Sequence, residues 1–366
     1  MSQDFRHPHE SLPRVPDTCF WEITDACNLR CIHCEQDAGT KRPDELDAGE
    51  ALRLADQLAD AGCRCVNLTG GEPLVRSDWP RLARRLADRG VLVAVVTNGV
   101  LVDDDTVQRM LDSGVDAVAV SLDGEREVHD AIRVPASRSI GSVFDLAVAA
   151  LDRLAATRLK LAVITQVHRR NLERLEAMHE LLARRRIDAW QIQVAMPLGR
   201  LLEYREQYLI RPGDLPRLET TVAAFVSAGR IPIRPADNIG YYGCEEAVLR
   251  RTAKGDPSFW TGCTAGLRVA AVCSNGDVKG CPSHPRAFVV GNVRERPFGD
   301  IWAREENFAY NTRWRDEDLV GGCARCPFHH ICRGGCRTMA FSVTGTIYDN
   351  PFCLQRVRHR TDGSKD

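Results

Sequence analysis

Six apolar runs rich in β-branched residues, at 19–24, 65–69, 91–97, 115–121, 159–167 and 189–194, limit what this chain can fold into more than any other feature. Their near-continuous hydrophobicity suits strands covered on both faces. Amphipathic helical stretches alternate with them. Asp47 followed by Glu50 makes a capping box ahead of a helix over 51–61, with Gly62 as its stop. Ser77 is placed to cap a helix over 78–89, which Gly90 closes. Further helices are expected over 103–113, 144–157 and 172–186. Six β–α units in order predict an α/β fold, most simply a partial (β/α)6 barrel of the TIM type over residues 18–236. Residues 1–17 make a short N-terminal extension, and 237–366 a small cysteine-rich domain. Barrels of this kind keep their chemistry at the C-terminal ends of the strands.

The 366 residues suffice for one large domain plus a smaller one. With 44% hydrophobic and 27% charged residues, the composition is that of an ordinary globular protein. A net charge of −1 gives no electrostatic reason to bind nucleic acid or an anionic membrane. No apolar run approaches the roughly 20 residues of a membrane span. Residues 1–14 lack the apolar core of a secretory signal, so a cytoplasmic location is expected.

Fifteen cysteines are many for such a chain. Disulfides persist poorly in a reducing cytosol, so the thiols read better as metal ligands. Eight lie between Cys263 and Cys353, and none between residues 66 and 243. Cys27, Cys31 and Cys34, spaced C-x3-C-x2-C, fall just after the first strand. Three thiolates on one short loop suit three corners of a 4Fe–4S cubane and leave the fourth iron open. A zinc site or three reduced core cysteines are the alternatives. Other strand ends carry Gly70-Gly71-Glu72-Pro73, Thr97-Asn98-Gly99 and Ser121-Leu122-Asp123-Gly124. Each is explicable as a tight βα turn; together with the triplet on one rim they read as a cofactor cradle.

The triplet followed by Gly70 to Pro73, in this order and spacing, resembles the radical S-adenosylmethionine enzymes, over roughly residues 16–236. In that family the open iron chelates the amino and carboxylate groups of S-adenosylmethionine. The resemblance assigns Gly70, Gly71, Glu72 and Pro73 to the segment holding the methionine amino group, and places Asn98, Ser121 and Asp123 against the rest of the cofactor. It implies one-electron cleavage of a C–S bond and hydrogen abstraction by a 5′-deoxyadenosyl radical, the protein placing the reactive atoms. His33, inside the triplet where the family often has an aromatic, is expected to pack on the cofactor. His129 and Arg133 stand either near cofactor or substrate or at a solvated helix end. Gln191 and Gln193 share one strand face by alternation and can both point into the barrel.

Cys263, Gly276, Cys281, then Cys323-x2-Cys326-x5-Cys332-x3-Cys336 and Cys353 resemble the SPASM extension, named for families that mature peptides and sulfatases. By position, Cys263, Cys281 and Cys336 would hold a first auxiliary 4Fe–4S cluster, and Cys323, Cys326, Cys332 and Cys353 a second. Zinc competes, since CxxC pairs are common zinc ligands, but two all-cysteine zinc sites need about eight ligands and the pattern supplies seven. The first cluster then lacks a ligand. Cys244 is the favoured candidate; Cys273, which reads as a strand residue before the Asn275-Gly276-Asp277 turn, and an open iron touching substrate are the others. Cys19, Cys63 and Cys65 are expected in the core, and His329 and His330 at the surface or supporting the cluster.

Two departures narrow the reading. Sulfatase-maturing members carry a catalytic aspartate directly after the cysteine matching Cys281; here that position is Pro282. Peptide-modifying members often have a leader-binding domain before the barrel, and about 17 residues are too few for one. The expectation is a radical S-adenosylmethionine oxidoreductase with one catalytic and two auxiliary clusters, acting on a ribosomally made peptide to crosslink, epimerise or oxidise it. A flavodoxin- or ferredoxin-type reductant and a separate leader-binding protein, or a substrate without a leader, would be its partners. A small-molecule dehydrogenase or epimerase (of a sugar, an aminocyclitol or a tetrapyrrole) is the runner-up, and a non-catalytic zinc module the reading from another class. Anaerobically reconstituted protein should be brown and carry about twelve irons. Replacing Cys27, Cys31 and Cys34 by alanine should remove about four of them and abolish reductive cleavage of S-adenosylmethionine. Colourless protein with stoichiometric zinc would overturn this account.

Overall fold

The computed structural model describes residues 7–10, 13–252 and 254–361. Residues 1–6, 11 and 12 of the expected N-terminal extension lie outside them. Strands β1 (Thr18–Thr24), β2 (Cys65–Gly70), β3 (Leu92–Thr97), β4 (Ala117–Ser121), β5 (Lys160–Val167), β6 (Ala189–Val194) and β7 (Ile233–Pro235) run parallel in chain order. Between them lie helices α1 (Ala48–Asp60), α2 (Trp79–Asp88), α3 (Asp104–Asp112), α4 (Arg126–Ile132), α5 (Val143–Ala155), α6 (Leu175–Leu182), α7 (Leu201–Tyr208) and α8 (Leu215–Ala228). Among the described residues, no helix is long and apolar enough to cross a membrane.

Alternation along the strands separates two faces. Val66, Leu68, Val118, Val120, Leu161, Val163, Trp190 and Ile192 are fully buried and share one core with Leu54, Leu58, Leu86 and Leu154 of the helices. Their neighbours Asn67, Thr69, Ser121, Gln166, Gln191 and Gln193 are only half-buried and line the inside of the barrel. Gln191 donates to Gln193 at 2.7 Å, so these two do share a face. The parallel barrel is thus a shell with an apolar outside and a polar, accessible inside.

Several local readings change. The capping box is present: Asp47 Oδ1 accepts from Glu50 N–H at 2.8 Å, and Glu50 Oε2 accepts from Asp47 N–H at 2.9 Å. At α2 the cap is Asp78 and not Ser77, and it makes no side-chain cap bond because Arg76 holds its carboxylate at 2.7 Å. The seventh strand escaped notice because Ile233-Arg234-Pro235 is too short and too polar to show an apolar run. Beyond it, β8 (Val269–Val272) pairs in parallel with the free edge of β1, followed by β9 (Asp277–Lys279) and β10 (Gly291–Asn292) in antiparallel order. One ten-stranded sheet therefore runs through the boundary expected at residue 236.

Gly70 and Gly71 owe their identity to backbone packing. Gly70 has φ +139°, and a Cβ there would lie 2.2 Å from the Thr24 carbonyl oxygen; a Cβ on Gly71 would lie 2.2 Å from that of Ala26. The turn is pressed against the start of the triplet loop, bonded through Gly71 N–H to Thr24 O at 2.7 Å and Glu72 N–H to Ala26 O at 2.9 Å. Gly71→Ala should therefore cost about 1–3 kcal/mol of stability, as overpacking does. Chemical denaturation should show it, and a variant as stable as the parent would mean that the two loops do not touch.

Candidate functional site

The triplet loop has no regular structure and is held by what surrounds it. Cys27 N–H donates to Gly39 O at 3.1 Å, Arg30 N–H to Val134 O at 2.7 Å and Ile32 N–H to Ile132 O at 2.8 Å. Arg200, in the loop after β6, donates its Nη1 to Cys31 O at 2.7 Å and its backbone N–H to Cys34 O at 3.0 Å. Gly199 beside it has φ +52°, and a Cβ there would sit 2.3 Å from Cys34 O. Arg200 was not singled out in the sequence; Gly199-Arg200 at a strand end was its only signal. Cys27, Cys31 and Cys34 are near enough to influence one another electrostatically. Burial pushes the Cys27 thiol up to about 11 and Cys31 up to about 12, and the Arg133 guanidinium works against both shifts.

The side chain of Asp123 is fully buried. Oδ2 lies 2.6 Å from Arg133 Nε and 3.2 Å from His33 Nε2, and Oδ1 accepts from Gln166 N–H at 2.9 Å. Burial alone would raise its pKa, but Arg133 and His33 outweigh burial and hold the carboxyl well below the usual range. With both oxygens taken, this side chain supports the triplet loop. His33 likewise turns to Asp123, with Nδ1 left without a partner. Arg133 is buried beside the thiols, so of its two readings the solvated helix end is excluded.

The remaining rim residues divide by what is free. Glu72 accepts from Thr97 Oγ1 and Asn98 N–H, both at 2.8 Å, and from Leu74 N–H at 3.3 Å. Burial pushes its carboxyl up to about 7 against those bonds. Asn98 donates its Nδ2 to Asn28 Oδ1 at 2.7 Å, tying the β3 rim to the triplet loop. Pro73 is buried and opens a short turn. Ser121 is half-buried at the end of β4, on the inner face.

Two groups of thiols stand in the C-terminal region. Cys323, Cys326, Cys332 and Cys353 line one cavity of about 330 Å³ together with Tyr241 and Tyr242. The four influence one another, and burial raises each, Cys353 to about 12. A four-thiolate cage around such a space fits a cubane cluster. Cys263, Cys281 and Cys336 form the other group, mutually coupled, with burial taking Cys281 to about 12. Asp237, just past β7, adds its charge to Cys281 and Cys336. Cys244 is exposed, in a turn tied to Glu219. Cys273 sits just after β8 beside Glu22 and Lys279. Cys19, Cys63 and Cys65 gather at the opposite, N-terminal end of β1 and β2. Among the described residues, no three metal-ligating side chains converge on a single-ion point; the cysteines surround spaces instead.

Comparison with known proteins bears on these centres. Residues 21–182 match the model of the radical SAM superfamily, and 263–327 that of the SPASM iron–sulfur cluster-binding domain. An AdoMet-dependent heme synthase of Methanosarcina barkeri is 30% identical over 94% of this chain and 98% of its own length. The chain belongs to the radical SAM superfamily. The mycofactocin maturase MftC of Mycolicibacterium smegmatis is also 30% identical, over 92% of this chain and 82% of its own. Among solved structures, native anSMEcpe with bound AdoMet superposes with a TM-score of 0.72 at 16% identity, over 95% of this chain and 100% of that one. Streptococcus suis SuiB bound to S-adenosylmethionine gives 0.69 at 16%, over 92% and 76%. These two show the fold. As a radical SAM/SPASM protein the chain is an enzyme that uses S-adenosylmethionine and iron–sulfur clusters.

The buried Asp123–Arg133 pair supplies a test of the support beneath the triplet. Asp123→Asn leaves the guanidinium uncompensated and should cost about 3–5 kcal/mol of stability. Denaturant unfolding measures this. An Asp123→Leu, Arg133→Met double variant should regain a large part, and an unaltered Asp123→Asn midpoint would show that the pair is not ionised.

Proposed function

We propose that this enzyme removes two electrons and two hydrogens from a ribosomally made peptide, using one catalytic and two auxiliary 4Fe–4S clusters. Cys27, Cys31 and Cys34 would hold the catalytic cluster. Gly70 to Pro73, Asn98 and Ser121 would hold S-adenosylmethionine, the first of these through backbone groups, with the Arg133 guanidinium as a further candidate beside them. Cys263, Cys281 and Cys336 would hold the first auxiliary cluster, with Cys244 as its candidate fourth ligand, and the four-cysteine cage the second. Together, an open-cornered cluster and S-adenosylmethionine supply a 5′-deoxyadenosyl radical that takes a hydrogen atom from the substrate.

One observation carries the oxidative reading. A cavity lies between the two ends of the chemistry, walled by Glu35 and Gln36, which follow Cys34, and by Ser283 and His284, which follow Cys281. Gln36 Nε2 donates to Pro282 O at 2.7 Å across it. A substrate there would have the hydrogen acceptor on one side and an electron acceptor on the other. The likeness to proteins named mycofactocin maturase supports a peptide; the match to heme synthases over nearly their whole length supports a tetrapyrrole as the second reading. A flavodoxin- or ferredoxin-type protein would deliver the starting electron, and a separate leader-binding protein could present the peptide.

With a precursor peptide encoded beside this gene, turnover should give about one 5′-deoxyadenosine per product and a mass loss of about two hydrogens. Deuterium at the attacked carbon should appear in the 5′-deoxyadenosine. Unchanged mass, with solvent hydrogen incorporated at one carbon, would refute oxidation in favour of epimerisation. Conversion of a porphyrin but no peptide would decide for the second reading.

A further inference from the structure

The cavity between barrel and auxiliary region contains polar groups that nothing in the protein satisfies. Glu22, from the inner face of β1, and Lys279, from β9, are 4% and 3% exposed, with Oε1 and Nζ 3.6 Å apart. Lys279 is otherwise engaged: its Nζ donates to Pro282 O at 2.9 Å. Glu22 Oε1 has no hydrogen-bond partner. His284 is 2% exposed and packs at 4.6 Å from Phe288 and 5.3 Å from Tyr310, ring centre to ring centre. Neither of its ring nitrogens has a partner. All three residues line the same cavity.

Leaving the two His284 ring nitrogens unpaired costs about 1–3 kcal/mol each, and Glu22 Oε1 has only the long contact to Lys279 Nζ at 3.6 Å. Such atoms around an open space are groups kept for a ligand. Their chemistry limits what that ligand is. Glu22 Oε1 accepts a hydrogen bond. The neutral imidazole of His284 offers one donor and one acceptor. Lys279, the buried cation of the cavity, is matched by Glu22, and Arg42 by Asp44, while Arg286 stands exposed at the rim. An amide meets these demands: its N–H to Glu22, its C=O to the protonated nitrogen of His284. A propionate would bring an anion up to Glu22.

We propose that Glu22 and His284 form a substrate-binding subsite that grips a backbone amide of a peptide, placing the residue to be attacked between the triplet loop and Cys281. This rests on the peptide reading above. Lys279 is a positioning residue that holds the Glu22 carboxylate in place.

The test uses reconstituted protein and ligand-detected saturation-transfer NMR, with N-methylacetamide as probe and methyl acetate as its donor-deficient counterpart. The parent protein should prefer the amide by about tenfold, the worth of one hydrogen bond to a charged group. Glu22→Gln can turn its NH2 into the cavity and should bind both alike. His284→Phe keeps the ring packing and should weaken both probes by a similar factor. Both variants should retain full iron content, which shows that the fold survives. Equal binding of amide and ester by the parent protein overturns the proposal, as does a preference that persists unchanged in both variants. If a precursor peptide is nonetheless modified by those variants with unaltered KM, this subsite alone is lost. If coproporphyrin III displaces the amide from the parent protein and needs His284 to do so, the subsite takes anions, and the peptide reading falls with it.

Discussion

The Asp123 carboxylate is the point on which the catalytic rim rests. It lies beneath a loop that has no secondary structure of its own, and it reaches that loop through His33. It neutralises Arg133, the buried cation nearest the thiols, and takes the backbone N–H of Gln166 on β5. Its own backbone carbonyl accepts from Asn171 Nδ2 at 2.7 Å. One anion therefore ties together the loop, the end of β4, the end of β5 and the turn after α4. A buried charge is tolerable only when it is paired and fully hydrogen-bonded, and here each oxygen is. The consequence is a rigid floor under Cys31 to Cys34, of the kind a site needs when reactive atoms must be held to a fraction of an ångström.

The thiols themselves are poised for protons to be exchanged for metal. Burial raises the Cys27, Cys31, Cys281, Cys332 and Cys353 thiols, because a lone thiolate in such surroundings is poorly solvated. Iron held by these thiols would supply the missing positive charge, so assembly would release protons and its free energy would become folding free energy. Cys332, buried against Tyr241 and Tyr242, shows why the cage and the local fold are one unit: the same aromatic residues close the cavity and complete the small core.

What the sequence revealed follows from how local each signal is. The first six strands were readable because parallel strands under helices leave long apolar runs, and the Asp47–Glu50 capping box because it spans four residues. The cysteine sets came from the likeness to a family pattern, and the fold places Cys323, Cys326, Cys332 and Cys353 around one cavity. The partners of Asp123 were not legible, because only the fold brings Arg133 and His33 to one of its oxygens and Gln166 N–H to the other. The helix begins one residue later than Ser77 implied, and its cap Asp78 makes no cap bond because Arg76 holds its carboxylate, a competition between neighbours that propensity does not record. Gly70 and Gly71 were noticed as glycines, while the reason for them, the carbonyls of Thr24 and Ala26, belongs to another strand. His284 and Lys279 left no trace at all: each is an ordinary residue until the fold buries it, Lys279 against Glu22 and His284 with both ring nitrogens unpartnered.

Strand β1 links the two halves of the site. On one edge it pairs with β2, Trp21 opposite Leu68, and on the other with β8, Trp21 opposite Val272. The triplet loop leaves its C-terminal end, and the hairpin that leads to Lys279 and Cys281 begins where β8 ends. The separation between the triplet loop and Cys281 is thereby set by backbone register and not by a flexible linker. A slip of one residue at the β1–β8 seam would move the hairpin by about 3.3 Å and turn alternate side chains to the opposite face. Glu22 would then leave Lys279, whose charge is buried and has no other carboxylate paired with it among the described residues. Register at this seam is accordingly enforced twice, by the apolar outward face of Cys19, Trp21 and Ile23 and by a buried ion pair on the inward one, and the geometry between the two chemical centres inherits that precision.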